Sequence, residues 1–309
     1  MPAAPSIHLP SVQSSVVLIA RALLLVLLAQ GCAEPAGSES LPPGLARALE
    51  GDFPETLAEL GVVDAQNPTG FQEPATEYTP RFPLWSNGSD KSRARVADGP
   101  GDEAMPGDLF LKTFSFEGRV VETRLLLVTE TEPEYATYLW NEVGDAAVRL
   151  DGSRPTEVEV SAGGEALVHE VPSHRQCAGC HEAAEQPALG YDARQLSGEL
   201  GDAVADGDRE VVAYALGNCV HCHNGRGVQG TSYSMEPDVF RENNVGKRTT
   251  SSASADGLRV APGDPEASVL FRGLSRGGDG AEDMPSLGVQ RRDEAAVLLF
   301  REWIEGLEE

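Results

Sequence analysis

Four of the five cysteines in this 309-residue chain lie in two identical frames, Cys177-Ala-Gly-Cys180-His181 and Cys219-Val-His-Cys222-His223. C-x-x-C-H is the pattern at which a c-type haem is attached. The two thiols form thioethers with the haem, and the histidine that follows is the iron ligand. The sequence therefore predicts two covalently bound haem c groups, with His181 and His223 as iron ligands. These segments are called the first frame and the second frame below.

Other cysteine chemistry is the alternative to haem. Paired C-x-x-C units also bind structural zinc, but these two begin 42 positions apart, whereas zinc ribbons have gaps of about 15–20 residues. Zinc also has no need of a histidine directly after each second cysteine. A disulfide within each C-x-x-C is a further alternative, although nothing around either frame resembles a thioredoxin-like βαβ unit. A zinc-stabilised, non-redox surface lipoprotein therefore stays open as an interpretation.

The first 31 residues read as an export signal. Arg21 precedes an apolar run over 22–29, and small residues lead to Cys32, as in a lipoprotein-type signal peptide. We predict cleavage after residue 31 and a lipid on Cys32. Ordinary signal cleavage is one alternative. A membrane anchor over 16–31 is another, but that run contains Arg21 and is shorter than the ~20 residues that a span needs. Export agrees with covalent haem attachment, which takes place outside the cytoplasmic membrane.

The charge balance limits the partners. The formal net charge is -25, from 49 acidic and 24 basic residues, and no basic stripe attracts phosphate. Nucleic acid is therefore not an expected partner. The acidic surface is expected to steer the chain toward a basic patch on a redox partner protein, or else is simply a solvated face.

The order of patterns predicts an α+β fold. Residues 32–70 read as a tether with short helices at 45–49 and 55–60. Residues 71–204 read as a β-rich domain closed by the first frame, because Leu109–Phe116 and 120–128 alternate around a turn at 117–119. Further strands are predicted at 135–140, 146–150, 157–160 and 166–171.

The last third resembles a class I cytochrome c domain. A helix predicted over 209–217 enters the second frame, Met284-Pro285 follows, and a helix over 291–307 closes the chain. The resemblance implies an all-α cytochrome c-like domain over 205–309, with Met284 as the second ligand of the second haem. A buried core methionine is the alternative role for Met284.

The sixth ligand of the first haem is open. The spacing leaves no room for a class I domain between the frames, so the first haem must draw its surroundings from the β-rich domain. Met105, His169 and His174 are candidates, and the remaining possibility is an iron without a sixth ligand, which can bind a small molecule. A haem enzyme that oxidises or reduces a small substrate is therefore the alternative to an electron carrier.

Several further motifs occur in the same order in an uncharacterised family of dihaem c-type lipoproteins, often encoded beside parallel β-helix repeat proteins. They are Tyr78-Thr-Pro-Arg-Phe-Pro-Leu84-Trp85-Ser-Asn-Gly88-Ser-Asp-Lys91, Leu111-Lys112-Thr-Phe114, Glu122-Thr123-Arg124, Tyr138-Leu-Trp140-Asn141 and Asn218-Cys219. The resemblance covers most of 71–307 and implies two haems and export, without a substrate. A more distant similarity is to mono-haem cytochromes that oxidise hydroxylamine, where a lysine crosslinks to haem. Lys112 is only a weak candidate for that role.

Together these observations predict an exported dihaem cytochrome c, anchored by lipid in the periplasm or at the outer membrane. Its expected role is single-electron transfer between redox partner proteins, more as a carrier than as a catalyst.

Overall fold

A computed structural model describes residues 40–64, 66–226, 233–249, 257–276 and 281–308. The predicted signal peptide, the lipid site at Cys32 and the first residues of the predicted tether, 32–39, lie outside these residues. Residues Leu41–Glu309 belong to one compact unit. Among the described residues, no helix is both long enough and apolar enough to cross a membrane.

Strands dominate the first half of the described chain. Their bounds are β1 (Val63–Asp64), β2 (Asn67–Phe71), β3 (Thr76–Glu77), β4 (Asp90–Val96), β5 (Leu109–Phe116), β6 (Arg119–Leu127), β7 (Glu134–Trp140), β8 (Ala147–Arg149), β9 (Thr156–Ala162) and β10 (Glu165–Val171). Strands β3 to β8 form one antiparallel sheet in sequence order, while β1 pairs with β2 and β9 with β10. The strands predicted from Leu109 to Val171 are thereby confirmed.

The predicted hairpin is the centre of the main sheet. β5 and β6 are joined by Glu117 and Gly118, whose φ angles are 48° and 83°. Two consecutive positive φ values give a turn whose twist suits a two-residue hairpin. The sequence does not predict the neighbouring β4, because its Lys91-Ser-Arg93-Ala-Arg95 run has charges where a strand that packs on a core usually has apolar residues.

One face of the main sheet is the apolar core. Leu109, Leu111 and Leu125 are almost fully buried there, each contributing about 1.5–3 kcal/mol by burial. The face is covered by a short helix, α1 (Pro43–Ala48), and by the 3₁₀ helix Leu57–Leu60. These two elements confirm the short helices predicted before residue 71.

The opposite face of the main sheet meets the chain that carries the first frame. The β9–β10 hairpin turns at Gly163 and Gly164, with φ of 65° and 77°, and lies beside β5. From the end of β10 the chain continues within three residues into the helix that holds the first frame. The first frame is thus placed by a hairpin that packs on the main sheet.

After β10, the helices and strands named in the described chain are all short helices. They are α2 (His174–His181), α3 (Ala193–Ser197), the 3₁₀ helix Asp206–Asp208, α4 (Arg209–Asn218), α5 (Phe240–Asn244), α6 (Val269–Ser275) and α7 (Glu294–Glu305). The helices predicted at 209–217 and 291–307 are confirmed as α4 and α7. α7 begins later than predicted because Asp293 caps it, its Oδ1 accepting a 3.1 Å hydrogen bond from the Ala296 N–H.

The predicted fold class is wrong. The structure has about 27% strand and 24% helix and is mainly β-sheet with short helices. Its described residues form no distinct all-α cytochrome c-like C-terminal domain. Between α4 and α7 the described helices α5 and α6 span only five and seven residues. Much of the intervening chain is instead joined by isolated bridges such as Val245 with Val260. Glycine and proline in this segment interrupt helical hydrogen bonding, so a helical bundle does not form.

Candidate functional site

The first frame is carried by α2. Ser173 caps this helix: its side chain accepts from the Gln176 N–H, and the Gln176 side chain accepts from the Ser173 N–H at 2.9 Å. This reciprocal capping box fixes the start of α2 at His174. Cys177 and Cys180 are three positions apart and therefore lie on one side of α2. Cys177 is buried and Cys180 is half-buried.

His181 at the end of α2 has a defined tautomer. Its Nδ1 lies 2.5 Å from the carbonyl oxygen of Pro187. A carbonyl oxygen can only accept, so Nδ1 carries the proton and Nε2 carries the lone pair. Burial lowers the pKa of His181 to about 4, which keeps the ring neutral at pH 7. A neutral imidazole whose other nitrogen donates to a carbonyl is the usual state of a metal-ligating histidine.

The second frame forms a turn at the end of α4. Cys219 caps the helix, and its carbonyl oxygen accepts from the N–H groups of Cys222 at 3.1 Å and His223 at 2.9 Å. The His223 ring packs on Tyr233 with centroids 4.7 Å apart. Burial lowers the pKa of His223 to about 4, so this ring is also neutral at pH 7.

The two frames are in contact. The Cys222 thiol hydrogen bonds to the Cys180 sulfur, which lowers the pKa of Cys180 and raises that of Cys222. His221, between the cysteines of the second frame, also hydrogen bonds to Cys180. The Asn224 side chain adds a 2.7 Å hydrogen bond to the Ala183 carbonyl. All four cysteines are free thiols. Sequence reasoning missed this contact, because it assigned the frames to separate domains.

A segment at 79–86, called the strap here, contacts both α4 and α3. The Asn218 side chain accepts from the Trp85 N–H at 2.7 Å and donates to the Pro83 carbonyl at 2.9 Å. Gly217 permits this approach, because a Cβ there would lie 2.3 Å from the Pro83 oxygen. On the other side the Phe82 N–H donates to the Gln195 side chain at 3.2 Å.

Changing Asn218 to leucine is expected to lower the free energy of unfolding by about 1–3 kcal/mol, because the Trp85 N–H and the Pro83 carbonyl lose their partner. Urea unfolding of the full chain measures the change. Gln72→Leu, at an exposed amide, is the control and should stay within about 0.5 kcal/mol. Equal stability of the two variants would contradict the role given to Asn218.

The candidate sixth ligands have different surroundings. Met105 is 55% exposed. His169 is buried, and its Nδ1 has no hydrogen-bond partner among the described residues. His174 packs on Gly152, and its Nε2 is likewise unpartnered there. Met284 is half-buried and packs against Gly273 of α6.

A buried ionic group lies on the sheet face toward the first frame. Glu122 is fully buried, accepts from the Arg124 Nε at 2.9 Å, and lies 2.7 Å from the His169 Nε2. Burial by itself raises the pKa of Glu122, but the Arg124 guanidinium and the His169 hydrogen bond outweigh it and lower the pKa to about 2. Arg124 also interacts electrostatically with Cys177, so the group adjoins the first frame.

Sequence reasoning also missed a concentration of cations on this face. Arg93, Lys112 and Arg124 are register partners across β4, β5 and β6, and Lys91 lies two residues before Arg93. The hairpin turn at Glu117 and Gly118 by itself would place Lys112 opposite Thr123. A register shift between Phe114 and Ser115 places it opposite Arg124 instead, and the sequence does not reveal that shift. Arg93 could not be added, because β4 was not recognised as a strand.

The donor set of the first frame fits a covalently attached haem. Two free thiols share one side of α2, and His181 is a neutral ring with its Nε2 lone pair available. The Tyr135 hydroxyl, whose ring lies 5.8 Å from that of His181, is buried without a hydrogen-bond partner among the described residues. Buried hydroxyls normally have a hydrogen-bond partner. A further polar group bound beside the first frame would supply one for Tyr135. The second frame offers the same donors in Cys219, Cys222 and a neutral His223.

Within the described ranges, no group of three or more His, Cys, Asp or Glu side chains is placed to hold a metal ion by itself. Comparison of the chain with models of known protein families, with curated proteins and with solved structures gives no match.

Proposed function

We propose that this protein is an exported dihaem c-type cytochrome that transfers single electrons. Cys177 and Cys180 would hold one haem and Cys219 and Cys222 the other, with His181 and His223 as iron ligands. When bound, the two haems supply reversible one-electron chemistry at iron. The observation that carries the proposal is the His181 Nδ1 hydrogen bond to the Pro187 carbonyl, which leaves Nε2 as the ligating nitrogen.

Contact between the frames supports transfer between two redox groups. Cys180 and Cys222 touch, and Asn224 links the loop of the second frame to Ala183. Groups attached at these cysteines would be anchored on adjoining backbone segments, and electron transfer requires such closeness. The chain's own contribution is to hold the two anchors together and to keep both histidines neutral and half-buried.

The surroundings suit exchange with partner proteins. A net charge of -25 favours encounter with a basic redox partner and makes the rate sensitive to salt. A lipid on Cys32 would keep the protein at a membrane facing the periplasm or the outer surface.

Met284 is proposed as the sixth ligand of the second haem, although the surrounding fold is not that of a class I cytochrome.

The mass of the matured full chain tests the proposal. In a host that loads a known c-type cytochrome in parallel, the chain is expected to gain the mass of two haems and to show reduced c-type absorption bands. Changing Cys177 and Cys180 together to alanine, or Cys219 and Cys222 together, should each remove one haem. The same mass measurement shows whether Cys32 carries a lipid. A chain of unmodified mass would overturn the proposal.

A specific contact favours a second candidate function, thiol–disulfide chemistry at the cysteines of the two frames. The Cys222 thiol donates to the Cys180 sulfur, and His221 assists in lowering the pKa of Cys180, which are properties of reactive cysteines. Oxidation would join the two frames through a Cys180–Cys222 disulfide, with two electrons and two protons passing to a thiol oxidant. Its signature is a chain lighter by two hydrogens and without haem, which the same mass measurement detects.

A further inference from the structure

Three cations stand in one row across the main sheet. Arg93 of β4 pairs with Lys112 of β5, and Lys112 pairs with Arg124 of β6; this set is called the cationic row. Like charges directly opposite each other on neighbouring strands destabilise a sheet. Lys91 adds a fourth cation at the end of the row, and electrostatic interactions couple all four. Such an arrangement in a chain of net charge -25 calls for a counter-charge.

The protein itself supplies only part of that counter-charge. Two carboxylates lie near the row. Glu122 binds Arg124 and His169, and Asp90 lines the cleft beside Lys91, with which it interacts electrostatically. Lys91 donates to the backbone carbonyls of Trp85 and Ser86, each at 2.8 Å. Across the described residues, neither Arg93 nor Lys112 forms an ion pair.

Unsatisfied donors mark the same place. The Nε of Arg93 is buried without a hydrogen-bond partner among the described residues, and the Lys112 ammonium lies over the Phe114 ring, 5.1 Å from its centroid. Burial and the neighbouring cations Arg93, Lys91 and Arg124 lower the pKa of Lys112. The Arg93 guanidinium makes one long hydrogen bond, from Nη1 to the Lys91 carbonyl at 3.4 Å. A buried donor without an acceptor is unfavourable, so the Arg93 Nε lacks a partner that an anion could supply.

A cleft gives access to one end of the row. Its volume is about 230 Å³, and Phe82 and Leu84 of the strap form it together with Lys91 and Arg93. A volume of this size exceeds the ~30 Å³ of a water molecule several-fold and can hold a carboxylate or a small oxyanion. The other end of the row adjoins the first frame, because Lys112 and Arg124 interact electrostatically with His181.

We propose that the cationic row is a binding site for an anionic group with carboxylate or oxyanion oxygens, bound between the strap and the first frame. Arginine presents parallel N–H donors to such oxygens, and lysine adds a point charge. Two sources have this chemistry. One is the propionate carboxylates of a haem held by the first frame, which rests on the proposed function. The other is a dissolved anion that reaches the row through the cleft.

The chain offers a matched pair of variants. It has three lysines, of which Lys112 lies in the row and Lys247 is exposed on a distant loop. Lys112→Met removes the central charge and keeps the length of the side chain, and Lys247→Met is the control. Because Lys112→Met also removes like-charge repulsion, it is expected to fold. Arg93→Met provides a second test at the end of the row.

The experiment measures sulfate binding to the full chain by calorimetry, with and without haem, and the midpoint potential of the loaded chain. Sulfate is expected to bind the haem-free wild type and Lys247→Met, and to bind Lys112→Met and Arg93→Met about ten- to a hundredfold more weakly. If propionates occupy the row, loading with haem abolishes sulfate binding, and Lys112→Met has a lower potential than Lys247→Met because a cation that disfavours ferric iron is gone. If the anion is diffusible, the loaded wild type still binds sulfate.

Equal sulfate binding and equal potentials in Lys112→Met and Lys247→Met would overturn the anion site. Absence of sulfate binding to the haem-free wild type, together with equal potentials, would overturn it as well. Failure of the chain to take up haem is a separate result. It contradicts the proposed function, whereas the haem-free sulfate titration still decides the anion site.

Discussion

If the first frame holds a haem as proposed, changing His181 to alanine is expected to remove its nitrogen ligand and to convert that haem to a high-spin form that binds carbon monoxide. The reason is local. His181 is a half-buried, neutral ring whose Nδ1 donates to the Pro187 carbonyl at 2.5 Å, so its Nε2 keeps the lone pair that would bind iron. Ferric and ferrous absorption spectra of the full chain, with and without carbon monoxide, measure the change.

His221→Ala is the matched control for His181→Ala. His221 lies inside the second frame and contacts Cys180, yet it is not a proposed ligand, so both haems should keep the wild-type spectrum. If His181→Ala and His221→Ala give the same spectrum as the wild type, His181 is not an iron ligand. If both variants lose the same signal, the two histidines act only on the packing between the frames.

Changing Glu122 to leucine is expected to lower the free energy of unfolding by about 3–5 kcal/mol. The variant leaves Arg124, which is 26% exposed, and His169, which is 5% exposed, without their carboxylate. A charge without a partner in such surroundings is far more costly than the pair was favourable. Glu157→Leu, at an exposed glutamate of β9, should change the stability by less than about 0.5 kcal/mol.

The same residue predicts a loss of stability in acid. The folded pKa of Glu122 is lowered from an ordinary 4.5 to about 2, so the unfolded state binds the proton first as the pH falls. Its contribution, about 3 kcal/mol by linkage, is complete above pH 4.5 and disappears as the pH falls toward 2. Urea unfolding between pH 2 and 7 should therefore show a steeper decline for the wild type than for Glu122→Gln. Parallel curves would contradict an ionised Glu122 in the folded protein.

Local patterns predicted most of the secondary structure. The alternation around Glu117 and Gly118 identified the hairpin of β5 and β6, and the spacing of apolar residues identified α4 and α7. These elements depend on hydrogen bonds and side chains close in sequence. β4 was not predicted because its charged residues Lys91 and Arg93 do not look like those of a strand. Their place on the cationic face of the sheet is apparent only when β4 is paired with β5.

The resemblance of the last third to a class I cytochrome c domain led to a wrong prediction of its fold. An entry helix, a methionine and a closing helix suggested an all-α domain, and α4 and α7 do pack together, with the rings of Tyr214 and Phe300 5.8 Å apart. The segment between them determines the fold class, and its short helices and isolated bridges do not make a bundle. Two correctly predicted helices were not enough to specify a domain.

The sequence alone determined the donor groups of the site, because each C-x-x-C-H frame places two thiols and an imidazole within five consecutive residues. The tertiary structure decided what surrounds them. Only tertiary packing brings Cys180 to Cys222 and sets Arg93, Lys112 and Arg124 side by side. These contacts join residues up to 42 positions apart, and no local pattern specifies them, because they follow from the register of strands and the docking of helices.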